Sequence, residues 1–228
     1  MSKYKILLFD ADSTLLDFKQ CEYEAVIDCL NYAKLPVTEE VIQKYSEINE
    51  GYWKMLDRKE ITKKELMVAR WQSLFDYYGF QINAREIAEL YPIKLSEKSH
   101  LMDGAEELCS KLYGSFKMYI VTNGFKIVQQ KRFCNCSLAK YFDDVFISED
   151  IGFDKPAIEY FERIAQRIPD YDPECTLIVG DSLTSDIQGG INAGIDTCWF
   201  NPEGKPTPES MNITYTVKDL CEIAKIVF

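Results

Sequence analysis

Asp10 and Asp12 stand one residue apart directly behind the apolar run Ile6-Leu7-Leu8-Phe9. A short apolar run cut off by two carboxylates predicts a buried parallel strand that stops where the chain leaves its sheet. Ligands of open α/β sheets bind at such strand ends. Residues i and i+2 of an extended chain point to the same side, so both carboxylates can face one pocket. An ionised Asp there can attack phosphorus and form an aspartyl phosphate that water later hydrolyses. Its neighbour can give a proton to the leaving alkoxide and then activate that water. Taken alone, the pair reads more readily as a turn or a helix cap, since Asp is a common turn residue.

Further strand ends carry matching chemistry. Met118-Tyr119-Ile120-Val121 runs into Thr122-Asn123-Gly124, where a hydroxyl and the backbone amides of Asn123 and Gly124 can receive an anion at the start of a helix. In Gly152-Phe153-Asp154-Lys155-Pro156, Pro156 suits a first helical position and puts Lys155 at the mouth of a helix. A cation opposes the macrodipole there, so Lys155 is expected to have a compensating anion. Thr176-Leu177-Ile178-Val179 leads into Gly180-Asp181-Ser182, with Asp186 five residues after Asp181. Asp181 is placed to complete an oxygen-ligand site with Asp10, and Asp186, in the first turn of the next helix, can pair with Lys155. Mg²⁺ favours one or two carboxylates with a carbonyl, a phosphate oxygen and water, and it would relieve the repulsion between Asp10 and a phosphoryl group.

These strand ends need a sheet to hold them, and the rest of the chain divides accordingly. Between the first motif and Ser99 there are no buried-strand patterns. Helical periodicity runs instead through Phe18-Cys21-Ala25-Cys29, Val41 to Leu56, Glu65 to Tyr78 and Ala84 to Ile93, which predicts a four-helix insertion. Beyond it, Asp103-Gly104-Ala105-Glu106 resembles a capping box opening a helix, and strand and helix signals alternate to the end. The expected division is residues 1–16 with 99–228 as an α/β core and residues 17–98 as a helical cap.

Composition excludes several classes of function. A length of 228 residues supports one substantial core and a smaller insertion. No stretch reaches the roughly 20 apolar residues of a membrane span, and the first strand follows the N-terminus too closely for a signal peptide, so a cytoplasmic protein is expected. Eight cysteines then read as reduced thiols. A net charge of −11 argues against a nucleic-acid polymer as partner, whereas local lysine and metal can still bind a small phosphorylated metabolite. The single histidine, His100, leaves no histidine ligand set or base for catalysis.

The four motifs in order resemble those of the haloacid dehalogenase superfamily: Asp10-Ala11-Asp12-Ser13-Thr14-Leu15, then Thr122-Asn123-Gly124, then Lys155-Pro156, then Gly180-Asp181 with Asp186. The resemblance spans nearly the whole chain and implies a Rossmann-like α/β core with a central parallel sheet and an inserted helical cap of the first type. It implies Asp10 as nucleophile, Asp12 as general acid/base and, through its backbone carbonyl, a Mg²⁺ ligand. Asp10 and Asp181 would be the other metal ligands, Thr122, Asn123 and Lys155 the phosphate site, and Asp186 a support for Asp181 or Lys155. Ser13 departs from the family's usual glycine, which is tolerable if the turn keeps φ negative there. With Trp199-Phe200-Asn201-Pro202-Glu203-Gly204, the motifs resemble a subgroup of pyrimidine 5′-nucleotidases, implying Mg²⁺-dependent hydrolysis of a nucleoside monophosphate such as UMP, dUMP or dTMP. Phe18, Glu22, Trp53 and Arg70 in the cap are positional candidates for substrate selection. A 2-haloacid dehalogenase shares the fold, but Asp12 argues against it. A hexose phosphomutase needs the same acid pair, although no histidine lies in the cap, and a silent phosphate-binding module would not need the full set of acids.

Overall fold

The computed structural model describes residues 2–228. Ile6–Phe9 is strand β1, buried along its whole length. Helices α1 (Phe18–Tyr32), α2 (Glu39–Asp57), α3 (Lys63–Tyr78) and α4 (Ala84–Ser96) follow without an intervening strand. The chain then alternates: α5 (Ala105–Leu112), β2 (Lys117–Thr122), α6 (Lys126–Asn135), β3 (Asp144–Ile147), α7 (Ser148–Ile151), α8 (Ile158–Ala165), β4 (Thr176–Gly180), α9 (Gln188–Ala193), β5 (Asp196–Phe200), β6 (Tyr215–Val217) and α10 (Cys221–Val227).

The strands form one six-stranded sheet in the order β3-β2-β1-β4-β5-β6, with every pairing parallel. Leu8 of β1 lies between Tyr119 of β2 and Ile178 of β4. The chain winds outward from β1 to β3 and then crosses back to β4, so the winding reverses between β1 and β4. Connections leave a crevice at the carboxyl ends of strands flanking such a reversal, and Asp10, Asp181 and the Thr122 loop all stand there.

Both faces of the sheet are covered, which is why its strands read as continuous apolar runs. Leu7, Phe9, Met118, Ile120, Leu177 and Val179 pack on one face with Leu108, Leu112 and Ile223 from α5 and α10. Ile6, Leu8, Tyr119, Val121 and Ile178 pack on the other with Tyr160, Phe161 and Ile164 of α8. Each such side chain contributes about 1.5–3 kcal/mol on burial, so the strand ends rest on a stiff platform.

Two local expectations are corrected. Ser13 takes φ 63, not a negative value: Leu15 N and Leu16 N both return to Ala11 O, at 3.0 and 2.9 Å, while Ser13 N donates to Leu16 O at 2.8 Å. A loop closed this tightly needs a left-handed residue. The capping box at Asp103 is absent because Gly104, at φ 80, is itself the cap of α5 and no side chain bonds the first turn. Glu106 instead accepts from Ser137, Lys140 and Tyr141.

The chain separates into two compact units, one formed by residues up to Phe18 with Ser99–Phe228 and the other by Lys19–Lys98. In the first unit, the outgoing and returning segments pair at Leu16 and Leu101, with Met102 N donating to Leu15 O at 2.9 Å. In the helical unit, α2 packs on α3 and α3 on α4, around the rings of Tyr45, Trp71 and Tyr91. Thr62 and Glu65 form a reciprocal capping box at the start of α3. None of the eight cysteines is in a disulfide. Among the described residues, no helix is long and apolar enough to cross a membrane.

Glu22, Asn49 and Arg70 are buried together in the helical unit. Asn49 Nδ2 donates to Glu22 Oε1 at 2.6 Å, and Arg70 Nη1 donates to Asn49 Oδ1 at 2.9 Å. Ser46 donates to the other Glu22 oxygen at 2.6 Å, and the Arg70 guanidinium lies 4.5 Å from the Tyr91 ring centroid. Burial raises the Glu22 pKa, against the hydrogen bonds from Ser46 and Asn49. Asn49→Leu would leave a carboxylate and a guanidinium buried without their bridge. It is expected to destabilise the protein by about 3 kcal/mol, read as a lower urea midpoint. An unchanged midpoint would show that the bridge is dispensable.

Candidate active site

Asp10 follows β1 at once, and its backbone N–H extends the strand register by donating to Val179 O at 2.8 Å. The Lys155 ammonium donates to Asp10 Oδ1 at 2.7 Å, Asp186 Oδ1 at 2.6 Å and Val121 O at 2.6 Å. Its three N–H donors are thereby used, and Lys155 is only 2% exposed. Lys155 lies in the turn ahead of α8, not at its first residue, since α8 begins at Ile158 and the Lys155–Pro156 peptide is cis. The compensating anions are Asp10 and Asp186. Asn123 fixes the lysine backbone: its Nδ2 donates to Lys155 O at 2.8 Å, and Lys155 N donates to its Oδ1 at 2.9 Å.

Asp186 reaches the centre from a wide turn at Leu183–Ile187, in which Ile187 N donates to Ser182 O at 3.1 Å. Its second oxygen accepts from Ser182 N at 3.1 Å. A Cβ at Gly180 would collide with this carboxylate, so only glycine can end β4 here. Asp181 completes the group, and Asp10, Asp181 and Asp186 each offer an oxygen within 4.8 Å of the others. Trp199 Nε1 holds the Asp181 carbonyl at 2.9 Å, and Thr14 donates to Asp181 Oδ1 at 3.4 Å.

Three carboxylates face one ammonium, and the acids respond. Burial raises the Asp10 pKa well above the usual carboxylate range; Lys155 opposes the rise, and Asp186 and Asp181 add to it. Asp181 is pushed up to about 7 by burial and by Asp186. Burial works to lower the Lys155 pKa, but Asp10 and Asp186 outweigh it and hold the ammonium above an ordinary lysine. A hard divalent cation fits this group: its donors are carboxylate oxygens, and it would cancel the surplus negative charge. Asp186 spends one oxygen on Lys155 and one on Ser182, which suits it to support the lysine.

Thr122, at the end of β2, is buried, and its Oγ1 accepts from Gln129 Nε2 at 2.8 Å and from Gly124 N at 3.0 Å. With both lone pairs engaged, its O–H remains to donate to an anion. The Gly124 amide, expected to meet that anion itself, is turned onto Thr122. The Asp12 carboxylate lies beside Thr122, since one Gln129 amide nitrogen bonds both. It faces α6, accepting from Gln129 Nε2 at 2.7 Å and pairing with Arg132, and it is not one of the three oxygens clustered with Asp10.

Of the cap candidates, Glu22 and Arg70 are buried in the network of the helical unit, while Phe18 and Trp53 are half-buried. Thr14, Gln129, Arg132 and Trp199 were not singled out from sequence as site residues. The legible signal for two of them was a pair of long polar residues three apart on the face that α6 buries with Val128 and Phe133.

A family model described as haloacid dehalogenase-like hydrolase matches residues 4–194. HAD-hydrolase YfnB of Bacillus subtilis is 40% identical over 227 residues, covering 100% of this chain and 97% of the relative. Pyrimidine 5′-nucleotidase PynA of Streptococcus pneumoniae is 38% identical, covering 94% and 91%. Pyrimidine 5′-nucleotidase YjjG of Escherichia coli is 31% identical, covering 99% and 98%. A crystal structure of YfnB bound to magnesium superposes with a TM-score of 0.95 over 99% of each chain.

The raised carboxyls set a pH dependence. Burial favours protonated Asp181, so its contribution to metal-free stability is present below the unfolded value near 4 and is lost as pH rises through about 7. A hard divalent cation such as Mg²⁺ would bind the ionised form. Added Mg²⁺ should therefore raise Tm more at about pH 8 than at about pH 5.5, measured by differential scanning fluorimetry. Equal shifts at both would refute the linkage.

Proposed function

The chain belongs to the haloacid dehalogenase-like hydrolases, and from that premise we propose that it is a Mg²⁺-dependent phosphatase of small phosphomonoesters, working through an aspartyl phosphate on Asp10. The observation that carries this reading is the Lys155 ammonium bridging Asp10 and Asp186 beside Asp181 at the sheet's winding reversal. The Thr122 hydroxyl donates to a phosphoryl oxygen, and the Lys155 ammonium, its donors engaged by Asp10, Asp186 and Val121, stabilises the phosphoryl charge through its field. An Asp10 oxygen attacks phosphorus, the ester P–O bond breaks, and the leaving alkoxide takes a proton from Asp12. Asp12 then removes a proton from water, which attacks the same phosphorus, breaks the bond to Asp10 and releases phosphate. Mg²⁺ held by Asp10, Asp181 and the Asp12 carbonyl would neutralise charge on the phosphoryl group and the nucleophile.

Nucleoside monophosphates with a pyrimidine base are the proposed substrates. The two relatives named pyrimidine 5′-nucleotidases support this, since they match at 38% and 31% identity across nearly the whole chain. The helical unit is the proposed cap. Trp53 of that unit and Phe18, the residue before it, both half-buried, are the candidates for contact with the nucleoside, whereas Glu22 and Arg70 would act through the shape of the unit they stabilise.

A panel of phosphomonoesters with and without Mg²⁺, ranked by kcat/KM, is expected to place UMP, dUMP or dTMP first. Sugar phosphates leading the ranking would overturn the substrate class. Asp10→Asn should abolish turnover with the fold intact by circular dichroism. Asp12→Asn should lose about 10²–10⁴-fold in kcat; retention of full rate by either variant would reject its assigned role.

A further inference from the structure

Two long polar side chains occupy positions on α6 where apolar ones would pack without cost. Gln129 and Arg132 are both fully buried, three residues apart and hence on one helix face. Buried charged and polar groups of this kind rarely add stability over apolar residues of similar volume. What distinguishes this pair is what it touches. Gln129 Nε2 spends one hydrogen on Asp12 Oδ2 at 2.7 Å and the other on Thr122 Oγ1 at 2.8 Å. Arg132 Nη1 pairs with the other Asp12 oxygen and lies 3.5 Å from Gln129 Oε1. That last contact orients the amide: turned over, it would set its oxygen against those of Asp12 and Thr122. Gly124 belongs to the same arrangement, because a Cβ there would collide with the Gln129 side chain.

We propose that Gln129 and Arg132 are positioning residues for the hydrolytic reaction, holding the Asp12 carboxylate in one rotamer and, through the same amide, aiming the Thr122 hydroxyl at the phosphate. The inference rests on the phosphatase reading, in which Asp12 moves the protons. Asp12 stands three residues beyond the end of β1, in the loop that closes at the left-handed Ser13, outside the ladder that fixes the strand residues. The α6 pair gives its side chain a direction. One amide spanning both groups keeps the proton carrier and the phosphate donor in register, and a displacement of about 1 Å at such a group costs about 10²-fold in rate.

A double-mutant cycle on the Mg²⁺-loaded full-length protein tests this. Arg132→Met is expected to lower kcat by about 10²-fold in the otherwise native enzyme but by less than about twofold in the Asp12→Asn background, since the arginine would act only through Asp12. Arg132→Lys, which keeps a cation, should recover part of the loss. Gln129→Met, of similar length and without donors, keeps the test open should Arg132→Met not fold. It is expected to lower kcat in the native background and to lower it less beside Asp12→Asn. Equal losses in both backgrounds, or no recovery with lysine, would overturn the inference while leaving the phosphatase assignment in place. A native enzyme that turns over no phosphomonoester, with or without Mg²⁺, would overturn both.

Discussion

The Lys155 ammonium is buried against Asp10 and Asp186 with Asp181 beside them, and the rest of the site is arranged around that charge. Removing a carboxylate from water costs several kcal/mol, and the cost is repaid only when a partner sits close with good geometry. Three carboxylates at a strand-end crevice could not all ionise without a counter-charge. Lysine supplies one that is permanent and placed by the backbone, while a divalent cation would supply the remainder. The site is thus organised by its lysine and left short of positive charge.

Several local features follow from keeping Lys155 in place. The Asn123 amide clamps its backbone from the β2 loop. Gly180 carries no side chain because the Asp186 carboxylate fills that space. The wide turn before α9 returns Asp186 to the end of its own strand, where Ser182 N meets its second oxygen. With Asp10 behind β1, these segments come from three different strand ends, β1, β2 and β4, and a parallel sheet with one winding reversal is what sets them side by side.

The two units use the same device to bury charge. In the helical unit, the Asn49 amide gives a hydrogen to Glu22 and accepts one from Arg70. In the α/β unit, the Gln129 amide gives hydrogens to Asp12 and Thr122 and faces Arg132 with its oxygen. An amide carries both donor and acceptor, so it can sit between a carboxylate and a guanidinium and bond to both. In one unit the bridged charges lie within helix packing; in the other one of them, Asp12, shares its amide with Thr122.

The sequence by itself determined the strand ends and the helices between them. Strands buried on both faces must be apolar throughout, and a carboxylate or hydroxyl directly behind one marks where the chain leaves the sheet, as at Asp10, Thr122 and Asp181. The helices showed through their 3.6-residue periodicity, including the four that form the separate unit. Only the tertiary structure decided where side chains on those ends point. Ser13 turned left-handed to close its loop; Asp12 met Gln129 and Arg132 of α6; Gly104 displaced the expected cap; Gly124 N went to Thr122. The contacts responsible lie far apart along the chain, 117 residues from Asp12 to Gln129 and 145 from Asp10 to Lys155. Local pattern encodes burial and backbone propensity, whereas the partner of a polar group is chosen by whichever distant segment the packed sheet brings within hydrogen-bonding reach.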